Sequence, residues 1–255
     1  MGRLDGKVAI ITGSNSGVGA ATAKLFAKEG ATVVISARRK EALEKVEKEI
    51  VALGGKALSV PTDISKIEDC ENLIAQTVKK FGKIDVLVNN AGVLDSGLKA
   101  IDKFSDDELN RIIDTNQKGT MYCMRAALKH MKAAGAGSIV NVASVAGYNG
   151  GGGAVYVSSK AAIIGVTKHT AMLTAGQNIR CNAVCPGNIL TPMTAAVDYA
   201  NIDMEILGAM SKHADLKGCP SCTADDVANV LLFLASDESK PITGQIMVCD
   251  YGANL

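Results

Sequence analysis

The sequence YVSSK places Tyr156 four residues before Lys160, a spacing that puts both side chains on one face of a helix. A free phenol has a pKa near 10, so only about one molecule in a thousand is ionised at pH 7. A cation within about 4 Å contributes on the order of 4 kcal/mol at intermediate dielectric constant, which would lower that pKa by about three. We therefore expect Tyr156, beside Lys160, to donate and accept a proton near neutral pH.

A glycine-rich turn near the N-terminus has the residue types that bind a diphosphate. It stands between an apolar run of strand length and a run with helical spacing. Glycine lets the backbone turn sharply and lets a diphosphate approach the N–H groups at the helix N-terminus. The GxxxGxG spacing differs from the GxGxxG fingerprint, but its place after the first strand supports a dinucleotide site. The turn comprises Thr12, Gly13, Ser14, Asn15, Ser16, Gly17, Val18 and Gly19.

The end of the second apolar run indicates which dinucleotide would bind. An NAD site has an acidic side chain about 20 residues beyond the glycines, where it binds the ribose hydroxyls. Here the run ends in Arg38 and Arg39, and the next carboxylate is Glu41. Guanidinium groups bind a 2′-phosphate as forked donors, so the sequence favours NADP(H) over NAD. The alternative is that both arginines lie in solvent at the start of a helix.

Apolar runs of strand length alternate with amphipathic runs of helix length. The strand-like runs are continuously apolar, as expected for strands covered on both faces. The alternation predicts a single-domain α/β fold over residues 1–255, with a doubly wound (Rossmann-like), seven-stranded parallel sheet and helices on both faces. The predicted strands are 7–12, 32–37, 56–60, 84–88, 138–142, 179–184 and 245–249. The predicted helices are 18–30, 40–53, 67–81, 155–174 and 223–235, with another beginning at Ser105.

Residues 190–216 interrupt this alternation. The segment is rich in Met and longer than an ordinary connection. Long irregular insertions in compact domains are often lids or binding loops, so we expect a substrate loop here. The alternative is a helical excursion on the surface.

The composition argues against several classes of protein. The chain has 27 basic and 26 acidic side chains and no basic block, so nucleic acid is not an expected partner. No uninterrupted apolar run approaches the roughly 18 residues of a membrane span. The first residues lack the apolar region of a signal peptide. We therefore expect a cytoplasmic protein without a membrane partner.

Seven cysteines are present, several of them inside apolar runs. In a reducing compartment such cysteines pack as small core residues. Cys219 and Cys222 form a CxxC, which is the spacing of a redox pair or of half a zinc site. A zinc site needs more ligands, and the sequence has no second CxxC, so we predict no metal.

Taken in order, the motifs of this chain resemble those of the short-chain dehydrogenase/reductase family over nearly its whole length. They are the glycine turn, an aspartate–isoleucine pair, an NNAG segment, a dispersed Asn-Ser-Tyr-Lys set, and a PG segment followed by a threonine. The matched residues beyond the turn are Asp63, Ile64, Asn89, Asn90, Ala91, Gly92, Asn116, Ser144, Tyr156, Lys160, Pro186, Gly187 and Thr191.

The resemblance implies an oxidoreductase in which a hydride moves between C4 of the nicotinamide and a carbonyl carbon. Tyr156 would pass the proton, and Lys160 would bind the nicotinamide ribose and lower the pKa of Tyr156. Ser144 would hydrogen-bond the substrate oxygen. Asn116 would hold a water that links Lys160 to solvent, and Thr191 would hold the nicotinamide carboxamide.

The resemblance also implies a cofactor site and a homo-oligomer, either a tetramer or a dimer. The implied cofactor residues are Gly13, Ser14, Asn15, Ser16, Gly17, Val18, Gly19, Arg38, Arg39, Asp63, Ile64, Asn90, Ala91, Gly92, Tyr156, Lys160, Pro186, Gly187, Ile189 and Thr191.

The chain departs from the family pattern at three places. Ser144 and Tyr156 are twelve residues apart, one fewer than the commonest spacing. Ser16 stands where many NADP-using relatives have a basic residue, which weakens the preference for NADP. The C-terminal DGG segment reads DYG.

The open glycine stretch 150–153 and the Met-rich segment 190–216 favour a bulky apolar substrate, because Met adapts to large apolar surfaces. We predict a hydroxysteroid or a bile-acid-like alcohol, unless the Met residues pack a core or a subunit interface. A 3-oxoacyl-thioester reductase is the alternative enzyme, but it needs a basic patch for an acidic carrier, and Lys99 and Lys103 are sparse. A non-catalytic NADP-binding sensor is the alternative from another class, and the complete catalytic set argues against it.

Overall fold

A computed structural model describes residues 2–195, 197–213 and 219–254, and seven strands within these ranges form one sheet. The strands are β1 (Val8–Thr12), β2 (Thr32–Ala37), β3 (Lys56–Pro61), β4 (Val86–Asn89), β5 (Gly137–Val142), β6 (Ile179–Pro186) and β7 (Ile246–Cys249). They pair in parallel in the order β3-β2-β1-β4-β5-β6-β7. The predicted seven-stranded parallel sheet is confirmed.

Helices pack on both faces of this sheet, as predicted. Phe26, Leu43 and Leu231 share a core on one face, while Leu73 and Met131 belong to the core on the other. The longer α-helices are α1 (Gly17–Lys28), α2 (Lys40–Ala52), α3 (Ile67–Phe81), α4 (Asp106–Ile112), α5 (Thr120–Ala134), α7 (Ala154–Leu173), α9 (Met204–His213) and α10 (Ala224–Ala235). Shorter pieces are α6 (Ala146–Asn149), α8 (Pro192–Ala195), and two 3₁₀ turns at Tyr199–Asn201 and Asp237–Ser239.

The continuous apolar character of β1 follows from this arrangement. Successive side chains of a strand point to opposite faces of a sheet. Ala9 and Ile11 lie in the core on the side of α1, whereas Val8 and Ile10 lie in the core on the side of α3. Because both faces of β1 are covered, an alternating polar pattern would place polar groups in a core.

The helix predicted to begin at Ser105 does so, but it contains an unpredicted irregularity. The hydroxyl of Ser105 caps α4 by accepting a hydrogen bond of 3.2 Å from the backbone N–H of Glu108. Between α4 and α5 the chain forms a π-helical segment, Ile113–Gly119, which contains Asn116. Gly119 permits a close approach there, since a Cβ on it would lie 2.6 Å from the carbonyl oxygen of Ile64.

The segment that interrupts the alternation is helical where it is described. The described part of residues 190–213 includes α8, the 3₁₀ turn Tyr199–Asn201 and α9, and Met193 and Val197 line the cavity described below. The substrate loop stays a prediction. Residue 196 and residues 214–216 of the predicted substrate loop lie outside the described residues.

The order of the strands determines where a ligand would bind. The connection leaving β1 leads to β2 on one side, while β4 pairs with β1 on the other. Doubly wound sheets bind ligands in the crevice at the carboxyl ends of the strands, at such a switch point. Gly13 follows β1 and Asn90 follows β4, so both lie at this edge.

Candidate active site

A cavity of about 1190 Å³ opens at the carboxyl ends of the strands and brings together most of the predicted site residues. The predicted residues that line it are Gly13, Asn15, Ser16, Gly17, Val18, Arg38, Arg39, Asp63, Ile64, Asn90, Ala91, Gly92, Ser144, Tyr156, Lys160, Pro186, Gly187, Ile189 and Thr191. Ser14, Gly19 and Asn116 were also predicted, but they lie behind the lining.

The glycine turn has a geometry that fits a diphosphate. Gly13 has a φ of +69°, in the left-handed region that favours glycine. A Cβ on Gly19 would lie 2.3 Å from the carbonyl oxygen of Gly13, so the turn closes only without side chains there. Ser16 begins α1 without a side-chain hydrogen bond to the first turn. The N–H groups of that turn and the helix dipole therefore remain available to an anion.

Thr12 and Asn90 fix the ends of β1 and β4 side by side. The hydroxyl oxygen of Thr12 accepts hydrogen bonds of 3.0 Å from the backbone N–H groups of Asn90 and Ala91. The side-chain amide of Asn90 donates in return to the carbonyl oxygens of Thr12 at 2.9 Å and Gly13 at 3.2 Å. These bonds hold the NNAG segment against the glycine turn and so shape the floor of the cavity.

Two arginines and one aspartate line the cavity near the ends of β2 and β3. Arg38 and Arg39 follow β2, are exposed, and form no ion pair with any residue in the described ranges. The carboxylate of Asp63 accepts hydrogen bonds from the backbone N–H of Ser65 at 3.1 Å and from its hydroxyl at 2.7 Å. The guanidinium groups can therefore bind a phosphate without first breaking an ion pair there, while Asp63 is held in place.

Tyr156 and Lys160 lie on α7 beside Ser144, which follows β5. The ammonium of Lys160 lies 5.7 Å from the centre of the Tyr156 ring and donates a hydrogen bond of 2.9 Å to the carbonyl oxygen of Val142. The hydroxyl oxygen of Ser144 accepts a hydrogen bond of 3.1 Å from the backbone N–H of Ala146.

The pKa values of this set differ from the sequence-based expectation. Burial raises the pKa of Tyr156 to about 12; the hydrogen bond from Ser144 opposes that rise, while the charges of Asp95 and Cys185 add to it. Burial also lowers the pKa of Lys160 to about 8. The expected lowering of the Tyr156 pKa by Lys160 is absent, because the buried ammonium is itself destabilised. At pH 7 the protein groups alone keep the phenol protonated.

Asn116 links the segment that follows β4 to α7. Its side-chain oxygen accepts a hydrogen bond of 2.8 Å from the backbone N–H of Val93. Its amide nitrogen donates to the carbonyl oxygen of Val93 at 2.9 Å and to the hydroxyl of Ser159 at 3.1 Å. Ser159 in turn donates to the carbonyl oxygen of Tyr156 at 2.8 Å. These contacts connect Asn116 to the backbone of the Tyr156 helix.

The PG segment forms the wall opposite the glycine turn. The backbone N–H of Gly187 donates a hydrogen bond of 2.9 Å to the carbonyl oxygen of Cys249 at the end of β7. A Cβ on Gly187 would lie 2.6 Å from the Cβ of Asp250, so only glycine fits this position. Thr191 lies next to the turn, since a Cβ on Gly17 would lie 3.4 Å from its methyl group.

One wall of the cavity, formed by residues within 94–96 and 105–111, is mostly polar and was not predicted from the sequence. Asp95 belongs to this wall and is only 4% exposed. One of its carboxylate oxygens accepts a hydrogen bond of 3.3 Å from the backbone N–H of Leu98. Burial, and then the charge of Glu108, raises the pKa of Asp95 to about 6. Its position three residues after the NNAG glycine was the available sequence signal.

The described ranges contain neither a cluster of metal-ligand side chains nor a helix suited to cross a membrane. Within residues 2–195, 197–213 and 219–254, no three His, Cys, Asp or Glu side chains are grouped as metal ligands would be. None of the helices in these ranges combines the length and the apolar character that a bilayer crossing requires. Five of the seven cysteines are buried, and Cys219 and Cys249 are half-buried.

Comparisons with known proteins agree with this geometry. A family model described as Enoyl-(Acyl carrier protein) reductase matches residues 13–254. The chain is 40% identical over 255 residues to 3-oxoacyl-(acyl-carrier-protein) reductase FabG of Thermotoga maritima, covering 98% of each chain. It is 38% identical over 267 residues to 3beta-hydroxysteroid dehydrogenase of Mediterraneibacter gnavus, covering 99% of this chain and 96% of the relative. The crystal structure of levodione reductase is similar with a TM-score of 0.88 and 29% identity, covering 98% of both chains.

Proposed function

The chain belongs to the short-chain dehydrogenase/reductase family and is therefore an NAD(P)-dependent oxidoreductase, and we propose that it uses NADP(H) to interconvert a secondary alcohol and a ketone. One observation carries the proposal. Tyr156 and Ser144 line the same cavity as the glycine turn and as Arg38 and Arg39.

In the direction of reduction, Tyr156 is the acid. Its raised pKa of about 12 keeps the phenol protonated at neutral pH, so it can donate a proton to the oxygen of a ketone. The hydroxyl of Ser144 hydrogen-bonds the same oxygen and stabilises the negative charge that develops on it. NADPH, when bound, supplies the hydride. Lys160, whose ammonium lies 5.7 Å from the centre of the Tyr156 ring, would hold the nicotinamide ribose.

Different residues of the chain would bind different parts of the cofactor. The N–H groups at the start of α1 would bind the diphosphate, since a helix N-terminus attracts anions. Arg38 and Arg39 would bind the 2′-phosphate, and Asp63 would lie beside the adenine. Thr191, which lines the cavity close to Gly17, would hold the nicotinamide carboxamide.

We propose a bulky apolar ketone or alcohol as the substrate, such as a hydroxysteroid or a bile acid. Leu94, Ile189, Met193 and Val197 line the cavity and supply apolar surface for such a molecule. The relative from Mediterraneibacter gnavus is named as a hydroxysteroid dehydrogenase.

A 3-oxoacyl-thioester reductase is the second candidate, favoured by the similarity to the reductase of Thermotoga maritima. Such an enzyme must attract an acidic carrier, but the two lysines beside the cavity are engaged. The ammonium of Lys99 donates to the carbonyl oxygen of Asn201 at 2.8 Å, and that of Lys103 lies 3.2 Å from Asp203 and 2.8 Å from Glu205. Two carboxylates therefore compensate the charge of Lys103, and the remaining charge of Lys99 makes a sparse basic patch, which weakens the second candidate.

The test begins with absorbance at 340 nm, using NADPH and NADH in parallel against ketosteroids, 3-oxoacyl thioesters and small ketones. Replacing Tyr156 by Phe removes the proton donor and keeps the ring, so we expect turnover to fall by about 10²–10⁴-fold while NADPH binding changes little. The sensor alternative predicts no turnover in the wild-type protein either.

Tyr122→Phe provides the matched control. Tyr122 is half-buried on α5, where its ring stacks 5.4 Å from the guanidinium of Arg125, and it does not line the cavity. This variant also loses one phenol, and it should keep wild-type activity. Turnover that survives in Tyr156→Phe would refute the catalytic assignment, and efficient reduction of thioesters but not of ketosteroids would favour the second candidate.

We also propose that the protein is a homo-oligomer, a tetramer or a dimer. Its support is a set of large apolar side chains that remain exposed on α5 and α7, namely Met121, Met172 and Leu173.

A further inference from the structure

The glycine stretch 150–153 lies beside the ring of Tyr156 and beside α9. A Cβ on Gly152 would lie 3.9 Å from Cδ1 of the Tyr156 ring. A Cβ on Gly151 would lie 3.9 Å from the terminal methyl carbon of Met210, which belongs to α9. The stretch therefore connects the neighbourhood of the proton donor with the Met-rich part of the chain.

Three of the four glycines are required by the backbone or by close packing. Gly150 ends α6 with a φ of +84°, and Gly152 has a φ of +154°. Both values lie in the region that favours glycine. A Cβ on Gly153 would lie 1.6 Å from a carboxylate oxygen of Asp95, so no side chain fits there. The fold itself explains why these three positions are glycine.

Gly151 has neither constraint. Its φ is not positive, so this angle does not demand glycine. The three atoms nearest to a Cβ on Gly151 belong to side chains, two to Asn149, the closer at 3.3 Å, and one to Met210. Asn149 is exposed and has room to move by the few tenths of an ångström that a Cβ needs. Glycine where alanine fits leaves the unfolded chain more freedom and so lowers stability, which leaves Gly151 unexplained by the fold.

The space that Gly151 leaves open is bordered by uncharged groups. The side chains nearest to a Cβ on the adjacent Gly152 are those of Val157, Ala146 and Tyr156. On α9, Leu207 precedes Met210 by three positions, which places both on one face of the helix, and Leu207 is 39% exposed. Apolar side chains and thioethers favour an apolar ligand surface, whereas a charged group would lose its water there without gaining a partner.

We propose that Gly151 is a specificity-determining residue: the side chain that it lacks leaves a slot between the glycine stretch and Met210, and this slot takes the apolar fused rings of a bulky ketone or alcohol. The inference rests on the proposed function, in which the reacting oxygen of the substrate lies at Ser144 and Tyr156. It adds the place of the non-reacting part of the substrate, which extends from the ring of Tyr156 toward α9.

Gly151→Leu tests this inference by filling the slot. Activity is measured with NADPH on androst-4-ene-3,17-dione, a four-ring ketone, and on cyclohexanone, a one-ring ketone. A single methylene group in an apolar pocket changes kcat/KM by about 10–200-fold, so we expect a loss of about tenfold or more for the four-ring ketone. The kcat/KM for cyclohexanone and the KM for NADPH should stay close to those of the wild-type protein.

Gly208→Leu is the matched control. It adds the same side chain to α9, but a Cβ on Gly208 meets no atom within 4 Å, and Gly208 is exposed. This variant should reduce both ketones as the wild-type protein does. If Gly151→Leu does not fold, Gly151→Ala tests the same slot with a smaller expected loss.

The double variant Gly151→Leu/Met210→Ala distinguishes a filled slot from a damaged fold. The shorter side chain on α9 reopens the slot, so part of the lost activity on the four-ring ketone should return. Damage to the fold by Gly151→Leu would not be reversed in this way. Equal losses on both ketones, or no recovery in the double variant, would overturn the inference.

Binding without turnover separates this inference from the proposed function. NADP⁺ carries no hydride that it could transfer to a ketone, so equilibrium dialysis of androst-4-ene-3,17-dione in its presence measures binding alone. We expect weaker binding by Gly151→Leu and unchanged binding by Gly208→Leu, even if the wild-type protein does not reduce this ketone. Equally tight binding by Gly151→Leu, or no binding by the wild-type protein, would refute the slot. Reduction of cyclohexanone by the wild-type protein would still support the proposed oxidoreductase function.

Discussion

The buried carboxyl of Asp95 couples the stability of the protein to pH. The unfolded chain has an Asp pKa of about 3.9, whereas burial raises the folded value to about 6. The folded state therefore binds this proton more tightly than the unfolded state does. As a result, the contribution of Asp95 to the free energy of unfolding falls as the pH rises from about 4 to about 6, and it stays low above that range.

Asp95→Asn should remove this loss of stability. The amide is neutral and nearly isosteric, so we expect the variant to be more stable than the wild-type protein by about 1–3 kcal/mol at pH 7. At pH 4, where the wild-type carboxyl is protonated when folded, the two should differ little. Urea unfolding at both pH values measures the difference. A stability change of equal size at pH 4 and pH 7 would mean that Asp95 acts through its shape and not through its charge.

The sequence identified site residues whose proximity follows from local spacing, and it missed residues that only the tertiary fold brings together. Tyr156 and Lys160 are four positions apart on one helix, so their proximity follows from helical geometry. Asp95 packs against Gly153, which is far away in sequence and comes close only through the packing of α7. The pKa of Tyr156 also depends on burial, which residue spacing does not reveal.

At the scale of elements, the strands were predictable because burial on both faces leaves a continuous apolar run. The strand predicted at 84–88 begins instead at Val86. Asp85 lies just before it and uses its side chain to accept a hydrogen bond of 2.7 Å from the backbone N–H of Val8. The π-helical segment Ile113–Gly119 was not predicted, because it follows from the close contact of Gly119 with Ile64 and not from a local pattern.

Asp203 anchors α9 to the loop that carries Asp95. Its buried carboxylate accepts hydrogen bonds from the backbone N–H groups of Ala100 at 3.2 Å and Glu205 at 3.0 Å, and it lies 3.2 Å from the ammonium of Lys103. Its own N–H donates to the carbonyl oxygen of Gly97 at 2.8 Å. This one side chain therefore connects the start of α9 with the polar wall of the cavity.

Asp203→Ala should loosen that connection and weaken the binding of a bulky substrate. Leaving buried donors unsatisfied costs about 1–3 kcal/mol. If about half of this appears in substrate binding, the KM for a bulky ketone rises about 2–10-fold. The KM for NADPH should stay close to that of the wild-type protein, because none of these contacts involves the glycine turn. Steady-state kinetics on one bulky and one small ketone measure both effects.

Glu205→Gln is the comparison for Asp203→Ala. Glu205 also pairs with Lys103, at 2.8 Å, but its side chain is 72% exposed. Exposed ion pairs contribute roughly 0–1 kcal/mol, so this variant should behave like the wild-type protein. Equal effects of the two variants would show that the charge on Lys103 matters and that the anchoring of α9 does not.

At the scale of the whole molecule, the cavity joins elements from both sides of the sheet's switch point. Its lining comes from the ends of β1, β2, β4, β5 and β6, and from α7 and α8. A dinucleotide that contacts all of these would stabilise the folded chain as a unit. A ligand at 100 times its Kd raises the free energy of unfolding by about 2.7 kcal/mol. The thermal midpoint of the protein therefore reports which cofactor it prefers.

We expect NADPH to raise that midpoint more than NADH at equal concentration, because Arg38 and Arg39 carry unpaired positive charge at the end of β2. Arg38→Ala or Arg39→Ala should each weaken NADPH binding about 10–100-fold, the equivalent of losing a charge-assisted hydrogen bond, and leave NADH binding unchanged.

Lys40→Ala is the matched control, because it removes the same charge from the next residue. Lys40 pairs with Glu44 at 3.8 Å and does not line the cavity, so this variant should bind both cofactors as the wild-type protein does. Thermal denaturation and titration of each variant with both cofactors test this prediction. Equal losses of affinity for NADPH and NADH would place the arginines outside the phosphate site. A preference of the wild-type protein for NADH would reverse the cofactor assignment.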